Sequence, residues 1–115
     1  MEIQNAAGTL SALAHAGRLE IFRLLVQAGP QGMAAGDVAR ATGILANTLS
    51  TNLNILAAAG LVTSRREGRS IIYSAGYDAM RELLTFLMAD CCAGRAEICP
   101  PLAAISRDGG EGRAC

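Results

Sequence analysis

The feature that most constrains this chain is a change of hydrophobic period at Gly60. Before it, apolar residues recur at helical spacing. In the segment 47–59, Leu49, Leu53 and Leu56 share one side, while Asn47, Thr51, Asn54 and Ala58 share the other, flanked by Ser50 and Thr48. Asn47 stands where an N-cap is expected, and Asn52 lies nearer the inward face. After Gly60 the texture is extended. Residues 61–66 and 69–74 contain Val62, Thr63, Ile71, Ile72 and Tyr73, with Glu67-Gly68 between the two runs as a turn. The tip of this hairpin gathers Arg65, Arg66 and Arg69, the densest basic cluster in the chain. Few folds place a short helix with a polar outer strip immediately before a hairpin with a basic tip.

The upstream segments fill in the same picture. Residues 10–13 and 18–27 read as helical, and the second piece carries Leu19, Phe22 and Leu25 on one broad apolar face beside Ile21 and Leu24. Gly29-Pro30 ends it, because glycine suits a C-cap and proline cannot extend a helix. A short Ala-rich helix over 35–42 is stopped by Gly43. Downstream, a last helix is expected over 78–92, with Asp78 near its start and Met80, Leu84, Leu87 and Cys91 on one stripe. The predicted architecture is mainly α with a β-hairpin wing, in the order ααααββα: a winged helix-turn-helix. It occupies residues 1–92, followed by a cysteine-containing extension over 93–115 whose glycines at 109, 110 and 112 suggest a loose tail.

Composition narrows the function. With 115 residues the chain has room for one domain. Apolar residues make up 51% and aromatics 3%, so the core must be aliphatic. No window approaches the ~20 apolar residues of a membrane span, and the N-terminus does not read as a secretory signal, so a cytoplasmic location is expected. The net charge is zero, but every base is arginine, the side chain suited to forked contacts with phosphates and guanine edges. No nucleophile or acid–base constellation outside the thiols, and no phosphate-binding glycine loop, argues for an enzyme. The polar strip of Asn47, Thr48, Ser50, Thr51 and Asn54 is the candidate DNA-reading surface. Three bases at a hairpin tip are expected to face outward together, which suits Arg65, Arg66 and Arg69 to phosphate or minor-groove contact. His15, the only histidine, is expected to pack or cap near a helix junction.

Three stretches resemble the ArsR/SmtB family of bacterial metal-responsive repressors: Leu13-Ala14-His15-Ala16-Gly17-Arg18-Leu19-Glu20-Ile21-Phe22-Arg23-Leu24-Leu25, then residues 47–56 followed by Ala59-Gly60-Leu61-Val62, then Arg65-Arg66-Glu67-Gly68-Arg69-Ser70-Ile71-Ile72-Tyr73. The resemblance spans roughly residues 7–92. It implies a homodimer paired through the first and last helices, here Leu10, Leu13, Met80, Leu83, Leu84 and Leu87. It also implies an imperfectly palindromic double-stranded DNA operator, released on inducer binding, and no enzymatic activity. This chain departs from the family pattern at Asn52 and Asn54, where many members carry a histidine and a base. Residues 34–38 hold no thiolate pair.

All four cysteines lie in the last quarter: Cys91, Cys92, Cys99 and Cys115. Such a cluster in a reducing compartment reads as metal binding or redox chemistry before a disulfide framework. Cys91-Cys92 and Cys99 resemble the arsenic-responsive branch that places three thiolates after the last helix. The chemistry agrees. Three thiols without a nearby imidazole make a soft site suited to pyramidal As(III) or Sb(III), whereas zinc prefers four ligands. Cys115 is expected to be a bystander. Zinc or cadmium as the inducer, a thiol-redox switch in the same fold, and a winged helix that binds protein instead of DNA stand as alternatives.

Overall fold

The computed structural model describes residues 1–89 of the chain. Its elements are α1 (Ile3–Leu13), α2 (Ala16–Ala28), β1 (Met33–Ala34), α3 (Ala35–Thr42), α4 (Ala46–Ala58), β2 (Val62–Glu67), β3 (Ser70–Ala75) and α5 (Tyr77–Met88). The expected order is present, with one strand added. β1 has only two residues and forms by pairing Met33 with Tyr73 and Ala34 with Ile72, so the sheet runs β1-β3-β2, antiparallel throughout. A two-residue strand has no period of its own to read in a sequence.

The core is aliphatic apart from Phe22 of α2, with Tyr73 and Tyr77 packed against its edge. Ile21 and Leu25 of α2, Val38 of α3, Leu49, Leu53 and Leu56 of α4, and Leu61 and Val62 at the start of the wing are all buried in one cluster. Each such side chain contributes about 1.5–3 kcal/mol through its removal from water. α1 begins seven residues earlier than the apolar pattern suggested. It buries the small side chains Ala6, Thr9 and Ala12, and a face of small residues gives little hydrophobic signal.

Two starts also differ. α4 begins at Ala46 behind Leu45, which caps without a side-chain bond, so Asn47 lies inside the first turn and is not the N-cap. α5 begins behind Gly76, leaving Asp78 in the first turn, where it complements the helix dipole without capping. Gly76 is required by close approach: a Cβ there would collide with the Gly60 carbonyl, while its own N–H donates to Leu61 O at 2.7 Å. That contact packs the entry of α5 against the exit of α4. The last residues expected of α5, and the boundary at residue 92, lie outside the described residues.

α3 and α4 form the helix-turn-helix. Gly43 adopts φ +76°, its N–H donating to Ala39 O at 2.8 Å, and Thr42 Oγ1 accepts from Ile44 N at 3.2 Å. The turn is thus tied by both backbone and side chain before α4 starts.

Candidate nucleic-acid interface

α4 presents the strip the sequence predicted. Asn47, Thr48, Ser50, Thr51 and Asn54 are all exposed, and Leu49, Asn52, Leu53 and Leu56 are buried beneath them. The Thr51 hydroxyl bonds back to Asn47 O at 3.2 Å, so its free capacity is mainly that of an acceptor. The two asparagine amides can each offer a donor and an acceptor side by side, the pattern that matches an adenine edge. Leu45 escaped sequence reasoning. It is 77% exposed at the N-terminal tip of α4, the end of a reading helix that meets base edges, where an aliphatic side chain suits a thymine methyl.

The wing is organised differently from expectation. β2 and β3 pair from Val62↔Ala75 to Glu67↔Ser70, leaving Gly68 and Arg69 as the turn. Successive strand residues point to opposite faces, so Arg65 and Arg66 do not face outward together. Arg65 is held against the body of the protein: its Nε donates to Glu67 Oε2 at 2.8 Å and its Nη2 to Gln31 O at 2.9 Å. On the same face Ser74 Oγ donates to Pro30 O at 3.2 Å. Gly32, with φ +76°, keeps the loop close enough for these bonds, since a Cβ there would strike the Tyr73 carbonyl. Arg65 therefore anchors the wing in the free protein. Arg66 and Arg69 are exposed, with no side-chain hydrogen bond or ion pair among the described residues. On α3, Arg40 is paired with Asp37.

His15 behaves as expected. Its Nδ1 accepts from Gly17 N at 3.1 Å and Arg18 N at 3.4 Å, capping α2. The six residues expected at the dimer seam divide. Leu10 and Leu87 are exposed, and Leu84 is half-buried. Leu13 and Met80 pack on the protomer's own core, and Leu83 is buried within the protomer. Ile3, 67% exposed and seven residues before Leu10, extends the exposed apolar strip of α1. Among the described residues no three His, Cys, Asp or Glu side chains come together as metal ligands. The thiols Cys91, Cys92, Cys99 and Cys115 all lie outside the described residues. No helix among the described residues is long and apolar enough to cross a membrane.

A tied turn, a helix with a polar outer face and a hairpin with free arginines define a winged helix-turn-helix DNA-binding protein. Comparison with known proteins agrees. The model of a helix-turn-helix domain matches residues 13–65. The HTH-type transcriptional regulator YgaV of Escherichia coli is 33% identical over 89 residues, 77% of this chain and 88% of that protein. The nodulation protein NolR of Rhizobium meliloti is 40% identical over 79 residues, 69% of this chain. That match spans only 62% of NolR's length. A solved homodimeric winged helix-turn-helix DNA-binding domain from Mycobacterium bovis, a possible ArsR-family regulator, superposes with TM-score 0.62 at 38% identity, over 76% of this chain and 81% of that one. The chain belongs to the winged helix-turn-helix transcriptional regulators related to the ArsR/SmtB superfamily, which are DNA-binding regulators and not enzymes.

Proposed function

We propose that this protein is a homodimeric repressor that holds an imperfectly palindromic operator and releases it when As(III) or Sb(III) binds Cys91, Cys92 and Cys99. The observation that carries the reading is the distribution of soft ligands. The chain has no cysteine before Cys91 and one histidine, and that histidine's Nδ1 is engaged as the cap of α2. The soft ligands this chain has to offer are therefore its C-terminal thiols, which supports a sulfur site. Three thiols suit a trivalent pyramidal centre better than the four-ligand shell of zinc. The placement of Cys91 and Cys92 shortly after α5 supports coupling to the dimer, because α5 carries Leu87 exposed on its surface. The homodimer itself is supported by the M. bovis domain and by the exposed apolar strip Ile3–Leu10.

In the reading of DNA, Asn47, Thr48, Ser50, Thr51 and Asn54 of α4 enter the major groove, while Arg66 and Arg69 lie on phosphate or in the minor groove. Arg65 joins them only by giving up its bonds to Glu67 and Gln31.

The test is titration of the operator-bound dimer with arsenite, antimonite, cadmium and zinc, for the wild type and each Cys→Ser variant. Release by the trivalent ions, lost in the variants at Cys91, Cys92 and Cys99 and kept at Cys115, is expected. Release by peroxide alone, reversed by a thiol reductant, would assign the thiols to redox sensing instead. Release by zinc or cadmium at lower concentration than arsenite would replace the inducer. Release that survives replacement of all three cysteines would refute the sensor.

A further inference from the structure

Asn52 is out of place. It lies on the reading helix beside Leu49 and Leu53, is only 4% exposed, and its Nδ2 finds no hydrogen-bond partner among the described residues. Leaving a buried donor unsatisfied costs about 1–3 kcal/mol, so an aliphatic residue would serve the core better. Its other amide atom shows what the asparagine is there for. Oδ1 accepts from Arg18 Nη1 at 3.4 Å, across 34 positions of sequence. The side-chain pairs Arg40–Asp37, Arg65–Glu67 and Arg81–Asp78, by contrast, join residues two or three apart.

Arg18 reaches further still. Its Nε donates to Ala12 O at 2.6 Å. That carbonyl belongs to the last turn of α1, where helical carbonyls lose their intrahelical donors and where a cation is favoured by the dipole. The backbone N–H of Arg18 is in turn held by His15 Nδ1. Gly17 completes the joint, since a Cβ there would press on both the His15 ring and the Asn52 amide at 3.3–3.4 Å. One guanidinium thus links the end of α1, the start of α2 and the middle of α4.

We propose that Arg18 is a positioning residue for DNA binding: it ties α1 to the reading helix through Asn52 and so sets how α4 meets the groove. A displacement of α1, whose outer strip carries Ile3 and Leu10, pulls Ala12 O, the guanidinium and Asn52 in turn. The forked geometry of arginine allows the two bonds at once, which a single ammonium cannot reproduce. The proposal rests on DNA binding and is independent of the thiol reading, because its readouts need no inducer.

The experiment compares the wild-type dimer with R18Q, N52A and the double variant. It measures operator affinity at several salt concentrations, dimer mass by sedimentation and helicity by circular dichroism. Each single variant is expected to remain a folded dimer and bind the operator about tenfold more weakly, and the double variant no more than about tenfold, because both break the same bond. The salt slope is expected to stay unchanged in R18Q. A slope shallower by about one would make Arg18 a direct phosphate contact and overturn the proposal. So would wild-type affinity in either single variant, or losses that multiply to about a hundredfold in the double. If R18Q does not fold, N52A decides alone by the same affinity criterion. Failure of both to fold would also overturn the proposal, since the joint would then serve the fold and not the aim of α4.

Discussion

The candidate reading helix and the wing carry the same expectation, contact with DNA, and they present their side chains differently. α4 presents short, uncharged side chains on a rigid element whose opposite face is locked into the core by Leu49, Leu53 and Leu56. The wing presents charge on β2, whose residues alternate faces, and at the turn, and one of its three arginines is folded back onto Gln31 and Glu67. Neutral amides at fixed positions discriminate bases, whereas free guanidiniums supply attraction without sequence preference. The difference teaches that a count of charges at a hairpin tip overstates the side chains left free, while helical phase sorts exposed from buried residues faithfully.

The largest expected effect removes the floor beneath the first region. Leu53→Ala should cost about 2–5 kcal/mol of stability, read by urea denaturation, and should lose operator and non-specific binding together. A loss under about 1 kcal/mol would mean that α4 is not seated as described. Next, Asn54→Ala should weaken operator binding by about 1–3 kcal/mol while leaving binding to unrelated duplex unchanged. An equal loss on both DNAs would move Asn54 from base reading to backbone contact. In the wing, Arg66→Ala and Arg69→Ala should each make the salt slope of binding shallower by about one and weaken all sequences alike. Arg65→Ala should have the smallest effect on that slope, with instead a more mobile wing, seen as faster amide exchange in β2 and β3. If Arg65→Ala lowered the slope as much as Arg66→Ala, its bonds to Gln31 and Glu67 would have to break on DNA.

How legible these regions were follows from the range of the interactions that make them. The 3.6-residue period of residues 47–59 sorted Asn47 and Asn54 outward and Asn52 inward, and the structure agrees. The hairpin was legible from its two extended runs, but its turn lies one residue further on, at Gly68 and Arg69. The fate of Arg65 was not legible, because its acceptor on Gln31 lies 34 positions away and is brought near by β1, a strand too short to announce itself. The first two turns of α1 were hidden for another reason: Ala6 and Thr9 pack by being small. Leu83, which the stripe of α5 offered as core or dimer seam, is buried within the protomer.

The division of labour between helix and hairpin is tested most directly by chemical interference on a single operator. Base methylation and phosphate ethylation would be mapped for the wild type, Asn54→Ala and Arg66→Ala. The account predicts that Asn54→Ala removes the base-methylation signal at its own position and keeps the ethylation pattern, and that Arg66→Ala removes an ethylation signal and keeps the major-groove base signals. Loss of base signals on replacing Arg66, with those signals intact on replacing Asn54, would contradict it.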